Sequence, residues 1–153
     1  MPYHLGIMSL IENKKAYFNY EISDKIEAGM ELLGFEVKSI RQKLGSLDGA
    51  YIIVRGGEAY LINAHIPPYQ PANTPESYDS HRNRRLLLTK KEITELSTAE
   101  GTKGLTIVPI SVYNKGRKLK LSLGIGRGKK KTDKRESIKK RDTERELGRS
   151  LKR

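Results

Sequence analysis

Apolar and polar positions alternate most regularly near the end of the folded part of the chain. Between residues 118 and 125, lysine, serine and glycine alternate with Leu119, Leu121, Leu123 and Ile125. This is the period of a strand that is buried on one face only. An apolar stretch from Leu105 comes before it, and Asn114-Lys115-Gly116 is a turn signal between the two. The segment predicts a hairpin, and the glycines at 124, 126 and 128 predict that the chain leaves the sheet there.

A second hairpin is predicted over residues 50–64. Two apolar runs, at residues 50–55 and 58–64, flank Gly56-Gly57. Two glycines between such runs suit a primed turn. The prolines at 67, 68 and 71 end the second strand, because proline cannot donate to a sheet ladder. We expect one loop over residues 45–49 and a second from these prolines to about Asp79.

Upstream of these hairpins, the pattern predicts two strands separated by a helix. Residues 16–22 alternate and predict the first strand. Ser23 is placed to cap a helix over residues 24–33, with Gly34 as its stop signal. Residues 35–41 predict the second strand, with three charged residues on its outward face: Glu36, Lys38 and Arg41.

The remaining elements complete a mainly β fold with peripheral helices. Residues 86–88 are a short buried segment, either strand or helix, and Thr89-x-x-Glu92 is a capping box for a helix to about Glu100. About six strands in antiparallel hairpins indicate a closed barrel of the oligonucleotide-binding kind. We expect a loosely ordered N-terminus at 1–12, the barrel domain at 13–128 and a basic C-terminal tail at 129–153.

The positive charge of the chain is concentrated in the tail, and this indicates the class of partner. The 153-residue chain has a net charge of +12, and residues 127–153 alone hold 13 Lys and Arg against 5 Asp and Glu. Such asymmetry indicates a polyanionic partner, and nucleic acid before membrane. The tail has few large apolar residues for an interfacial helix: Ile138, Leu147 and Leu151. Its mixed charges are typical of a marginal helix that is disordered alone and ordered on RNA.

Several kinds of chemistry are not indicated. There is no cysteine, which excludes disulfides and thiol catalysis, and His4, His65 and His81 lack metal-ligand spacing. We therefore predict a protein that is not an enzyme and has no metal or cofactor. No apolar run of about 18 residues and no secretory signal is apparent, so a cytoplasmic location is the expectation.

Basic residues outside the tail come from separated segments. They are Lys14, Lys15, Lys38, Arg41, Arg85 and Lys120. They form either an ordinary solvated surface or a groove that follows a phosphate backbone. Composition alone leaves both readings open.

Motifs in order along residues 13–141 resemble one known family. They are NKKA at 13–16, EAG at 27–29, GFEVKSIR at 34–41, GEAYL at 57–61, RRLLL at 84–88, GLTIVP at 104–109, GKK at 128–130 and DKR at 133–135. The chain resembles the tmRNA-binding proteins of bacterial trans-translation, also called small protein B or SsrA-binding protein.

This resemblance implies an RNA-binding adaptor. Such a protein binds the tRNA-like domain of tmRNA and delivers it to ribosomes stalled on truncated mRNA. Its tail enters the empty mRNA channel near the decoding centre of the small subunit. The implied partners also include elongation factor Tu on alanylated tmRNA, and the implied state is a monomer. A ribosome-associated RNA-binding barrel or RNA chaperone without preference for tmRNA is the alternative.

The resemblance also implies roles for individual residues. Asn13, Glu27, Leu87 and Lys120 match family positions for tmRNA binding, and Lys129 and Lys130 extend the basic surface. Asp133, Lys134 and Arg135 match the tail motif that acts on the ribosome. Two departures are Phe35, where many members have Trp, and Thr132, which cannot stack as the aromatic or His residue of many members could.

Overall fold

Seven antiparallel strands form a single sheet in this computed structural model, which describes residues 9–130, 134, 135 and 138. Their order across the sheet is β1-β6-β7-β2-β5-β4-β3. The strands are β1 Ser9–Glu12, β2 Tyr20–Met30, β3 Tyr51–Arg55, β4 Glu58–Ile62, β5 Arg84–Leu87, β6 Leu105–Lys115 and β7 Lys118–Gly128. The helices are α1 Ala16–Asn19, α2 Gly34–Arg41 and α3 Lys90–Glu100, with a 3₁₀ turn at Pro71–Asn73.

The two predicted hairpins are present. β6 and β7 pair from Leu105↔Arg127 to Lys115↔Lys118, and β3 and β4 pair from Tyr51↔Ile62 to Arg55↔Glu58. The capping box is present as well, since the Glu92 backbone N–H donates to the Thr89 hydroxyl at 3.2 Å at the start of α3. These three predictions depended on local signals, and all three are confirmed.

One face of the sheet forms the hydrophobic core. The alternating β7 residues Leu119, Leu121, Leu123 and Ile125 are all buried, as the pattern predicted. Leu86 of β5 and Leu61 of β4 continue this face, and Ile40 of α2 and Leu96 of α3 are fully buried in the same cluster. Removing these side chains from water is the main contribution to stability, and it fixes which face of each strand is left outside.

The prediction for residues 16–41 is wrong in its elements, except that residues 20–22 are strand as expected. Residues 16–19 form α1, β2 occupies the segment where a helix at 24–33 was expected, and α2 occupies the segment where a strand was expected. The Ser23 hydroxyl donates to the Ile125 carbonyl at 3.2 Å and caps no helix. β2 pairs with β7 over residues 20–29 and with β5 at Gly29 and Met30, and this pairing overrides a weak local helix signal. Gly34 begins α2 and does not end a helix.

The chain leaves the sheet after Gly128, as predicted, but Gly124 and Gly126 before it do not loosen the strand. Gly126 pairs with Ile22, and the strand continues to Gly128. A Cβ at Gly126 would lie 2.6 Å from the Glu21 carbonyl oxygen, and one at Gly124 would lie 2.6 Å from Ile22 Cγ2. These glycines therefore permit close approach of β2 and β7.

The start of the sheet and its number of strands differ from expectation. Ser9–Glu12, part of the segment expected to be loosely ordered, form β1 and pair with β6. The described residues form seven strands where about six were predicted. Within the described part of the chain, no ladder joins the outermost strands β1 and β3, so closure of the barrel stays a prediction.

A buried ion cluster ties α2 to β5. Glu36, predicted to face outward, is fully buried, as is Arg84. Glu36 Oε2 accepts from Arg84 Nη2 at 2.7 Å and from the Tyr78 hydroxyl at 2.9 Å, and Glu36 Oε1 accepts from Arg82 Nη2 at 2.5 Å. Burial alone would raise the pKa of Glu36, but the bonds from Arg82, the Leu33 N–H and Arg84 outweigh it and lower that pKa. The cluster holds the start of β5 against α2.

Candidate nucleic-acid interface

The solvent-facing side of the sheet brings together residues that are far apart in sequence. Across four strands, Tyr113 pairs with Lys120, Lys120 with Gly29, and Gly29 with Leu87. Because alternate residues of a strand share a face, this row fixes the neighbouring members. The outer face consists of Tyr113 and Lys115 on β6, Lys118, Lys120 and Ser122 on β7, Glu27 and Gly29 on β2, Glu31 directly after β2, and Arg85 and Leu87 on β5.

A shallow depression lies at the middle of this row. Gly29 has no side chain, and a Cβ there would lie 3.1 Å from Leu87 Cβ. The Leu87 side chain stands beside it with 48% of its surface exposed. Two cavities, of about 320 and 580 Å³, share Gly29, Leu87 and Lys120 among their lining residues. Both cavities are large enough for an unpaired nucleotide base.

Glu27 is held in place on the outer face by two donors. Its Oε2 accepts from the Tyr113 hydroxyl, and its Oε1 accepts from Lys115 Nζ at 3.0 Å. The bond from Tyr113, followed by that from Lys115, lowers the pKa of Glu27. Burial and the bond to Glu27 raise the pKa of Tyr113, so its proton stays on the phenol. The site therefore presents an ionised, oriented acceptor that is partly open to solvent.

Lysines on the outer face differ from Arg85 in how their charge is balanced. Within the described residues, neither Lys118 nor Lys120 forms an ion pair, and the charge of Lys120 contributes to lowering the pKa of Glu27. Arg85 donates from Nε to Glu31 at 2.7 Å and from Nη1 to Glu58 at 3.4 Å. Glu31 raises the pKa of Arg85. Lys120 is therefore the better placed of the two to neutralise a phosphate.

Two further predicted residues lie on α2, at the rim of the depression. Arg41 lines the smaller cavity, and its Nη2 donates to the Arg117 carbonyl at 2.6 Å, which joins α2 to the β6–β7 turn. Lys38 is exposed one turn earlier on the same helix. The placement of Arg41 beside Lys120 adds a second cation to one edge of the site.

The structure places Asn13, Lys14 and Lys15 in a separate group. They connect β1 to α1, and Asn13 Nδ2 donates to the Pro109 carbonyl at 2.8 Å while its backbone N–H donates to the Ile110 carbonyl at 2.7 Å. Lys14 and Lys15 are exposed. Asn13 thus fixes this connection to the middle of β6 and does not line the depression at Lys120.

The basic tail begins beside α1. The Lys129 N–H donates to the Asn19 carbonyl at 2.8 Å, and the Lys134 N–H donates to the Lys130 carbonyl at 3.1 Å. Lys134 Nζ lies 5.9 Å from the centre of the Phe18 ring. Arg135 is exposed. Thr132, Asp133 and the other tail residues apart from 129, 130, 134, 135 and 138 lie outside the described residues.

Sequence reasoning missed the residues that orient Glu27. Tyr113 lies in an apolar strand and Lys115 in a turn signal, 86 and 88 residues from Glu27. Only the register of β6 and β2 on either side of β7 brings them together. Gly29 belongs to the EAG motif, but its part in shaping the depression follows from Leu87 on the neighbouring strand.

The comparison with protein families agrees with this arrangement. A model of the SmpB protein family matches residues 10–153. The chain belongs to this family. The resemblance inferred from the motifs is therefore confirmed.

SmpB relatives match nearly the whole chain. The chain is 46% identical to an SsrA-binding protein of Microcystis aeruginosa, over 96% of each chain. It is 51% identical to one of Elusimicrobium minutum, over 96% of this chain and 93% of the relative. A chain solved in work on "tmRNA-SmpB: a journey to the center of the bacterial ribosome" superposes with a TM-score of 0.66 at 37% identity, covering 87% of this chain and 94% of the other.

Two kinds of feature are absent from the described residues. No helix there has the length and apolar character needed to cross a membrane. No group of three or more His, Asp or Glu side chains in that part of the chain is arranged to hold a metal ion.

Proposed function

We propose that the chain binds tmRNA through the outer face of its sheet and acts with that RNA on ribosomes in trans-translation. The observation that carries the proposal is the meeting of Glu27, Leu87 and Lys120 around one depression, in a chain of the SmpB family. SsrA-binding relatives and the tmRNA-SmpB structure support the same partner. The family supports a role in binding and not in catalysis.

Each side chain at the depression has a distinct part in this proposal. Lys120 neutralises a phosphate, and Leu87 packs against a base or ribose. Glu27 repels phosphate and accepts hydrogen bonds from the N–H or O–H groups of an unpaired nucleotide. Arg41 extends the cationic edge, and Asn13, Lys14, Lys15, Lys38, Arg85, Lys129 and Lys130 form the wider basic surface.

The proposal extends to the tail and to the assembly. The barrel at 13–128, closed as in oligonucleotide-binding folds, holds the tRNA-like domain of tmRNA, and the tail at 129–153 becomes helical in the empty mRNA channel near the decoding centre. Asp133, Lys134 and Arg135 act there, on ribosomes stalled on truncated mRNA. The protein is a monomer, it works with elongation factor Tu on alanylated tmRNA, and its ribosomal partner places it in the cytoplasm.

Lys120→Ala tests the RNA-binding part of the proposal. Binding to the tRNA-like domain of tmRNA is measured across a salt series, with bulk tRNA as competitor. Wild-type binding should survive the competitor, and the variant should bind more weakly. Losing one phosphate contact should reduce the salt slope by about 0.7 to 0.9. Lys103→Ala, an exposed lysine before β6, is the matched control.

The same assay separates this proposal from general RNA binding. If tRNA displaces tmRNA on equal terms, the chain is an RNA-binding barrel without preference. If Lys103→Ala is as harmful as Lys120→Ala, the outer face is not the site. Truncation after Gly128 should leave most tmRNA binding and abolish tagging of stalled nascent chains, whereas equal loss of both would contradict the division between barrel and tail.

A further inference from the structure

The hydroxyl of Tyr113 reaches across a complete strand to Glu27. Tyr113 lies on β6 and Glu27 on β2, and β7 lies between these strands. Adjacent strands are about 4.8 Å apart, so a separation of about 10 Å must be spanned by two side chains. The ring of Tyr113 does this with only 9% of the residue exposed. A buried ring gives its hydroxyl a fixed position, which a flexible side chain could not supply.

Lys115 provides the second fixed donor. It lies two residues beyond Tyr113 on the same face of β6, and it donates to the other Glu27 oxygen at 3.0 Å. Each carboxylate oxygen of Glu27 therefore has one internal donor and retains capacity to accept another hydrogen bond. The carboxylate cannot rotate freely without breaking one of the two contacts.

The structure assigns to Tyr113 and Lys115 the role of positioning residues that aim the Glu27 carboxylate at the N–H or O–H donors of an unpaired nucleotide in tmRNA. This inference rests on the proposed function. Neither residue needs to touch the RNA for this role. Tyr113 restricts the rotamers of Glu27 through one carboxylate oxygen, and Lys115 restricts them through the other. Both effects favour an RNA that offers donors at this point.

A mutant cycle tests the role of Tyr113. Tyr113→Phe removes only the hydroxyl and retains the buried ring. It should weaken binding to the tRNA-like domain of tmRNA by about tenfold, because a hydrogen bond to a charged group is lost. In the Glu27→Gln background, the same change should cost less than twofold, since the group to be aimed is already altered. Tyr69→Phe, at an exposed loop tyrosine, is the control for loss of a hydroxyl.

The test of Lys115 must separate positioning of Glu27 from direct binding of phosphate. Lys115→Met should weaken tmRNA binding with an unchanged salt slope, whereas Lys120→Ala should reduce the slope. Lys115→Arg should restore binding, because it still donates to Glu27. A reduced slope for Lys115→Met would make Lys115 a phosphate contact and would overturn its assigned role.

The outcomes distinguish this inference from the proposed function. If wild type shows no preference for tmRNA, or Glu27→Gln has no effect, the role proposed for Glu27 fails. If Glu27→Gln weakens binding and Tyr113→Phe does not, only the positioning role is overturned. An equal effect of Tyr113→Phe in both backgrounds would show a structural role, and thermal melts of each variant would report it independently.

Discussion

Replacing Glu36 with Gln tests how the buried ion cluster sets the position of β5. The carboxylate accepts hydrogen bonds from Arg84, Arg82, the Tyr78 hydroxyl and the Leu33 N–H. In the variant, one oxygen becomes an NH₂ group that faces donors, and the Arg84 guanidinium stays buried without a counter-charge. We therefore expect a large loss of stability from the exchange of one heavy atom.

The magnitude follows from what Arg84 retains. Breaking a buried ion pair by removing one partner costs about 3 to 5 kcal/mol. Arg84 keeps two carbonyl acceptors, Ala64 at 2.6 Å and Ser80 at 3.0 Å, which favours the lower end of that range. With a urea m-value of about 2 kcal/mol/M, a loss of about 3 kcal/mol lowers the unfolding midpoint by about 1.5 M.

Urea unfolding of Glu36→Gln is compared with that of Glu31→Gln, which serves as the control. Glu31 pairs with Arg85 at 2.7 Å, but this pair is exposed, so its loss should cost about 0 to 1 kcal/mol. Equal losses for the two variants, or a loss below about 1 kcal/mol for Glu36→Gln, would refute a stabilising buried pair.

The pH dependence of the unfolding free energy gives a second test of Glu36. Its pKa is lowered in the folded state, so its contribution is fully present above its usual value of 4.5 and is lost as the pH falls through the lowered value. The difference in unfolding free energy between wild type and Glu36→Gln should therefore shrink below about pH 4.5. A difference that stays constant to low pH would mean that ionisation of Glu36 is not its source.

Two further variants probe the sheet and its outer face. Gly126→Ala should cost about 1 to 3 kcal/mol in thermal melts, because its Cβ would lie 2.6 Å from the Glu21 carbonyl, whereas Gly128→Ala, with open space, should be near neutral. Stability comparable between these two variants would contradict the close approach of β2 and β7. Leu87→Ala should change unfolding free energy by less than about 1 kcal/mol, since the side chain is 48% exposed, yet weaken tmRNA binding in the competition assay. Unchanged binding would remove Leu87 from the site.

Local signals in the sequence were sufficient to predict two hairpins and one helix. The β6–β7 and β3–β4 hairpins have their turn glycines and apolar runs adjacent in sequence, and α3 has its capping box at its first turn. Each of these elements is determined mostly by its own residues and immediate neighbours. The alternation in β7 also identified the buried side of the sheet correctly.

Local signals were not sufficient to predict the secondary structure of residues 16–41. Ser23 and Asp24 are good helix-start residues, and a helical spacing of apolar residues was available. The competing strand is stabilised by partners about 60 to 100 residues away, on β5 and β7. A charged residue likewise does not reveal its own burial. Glu36 is inside only because Arg82 and Arg84 meet it there.

The site required the same long-range information. The resemblance identified Glu27, Leu87 and Lys120 as members, but only strand register places them around one depression. Register also separates Asn13, which contacts β6, from that group. The partners of Glu27 carry no local signal, because tyrosine is a common strand residue and lysine a common turn neighbour.

The placement of an ionised Glu27 on a strongly basic protein limits what the outer face can bind. A uniform polyanion would be best served by lysines alone, because attraction to phosphate depends little on sequence or shape. A carboxylate beside Lys120 penalises any RNA that brings phosphate to that point, and it favours one that brings a donor there and a phosphate to the lysine. Under the proposed function, the outer face supplies the discrimination between RNAs, and the tail acts on the ribosome. The preference for tmRNA over tRNA should therefore depend more on Glu27 than on any single lysine, even if a lysine contributes more to total affinity.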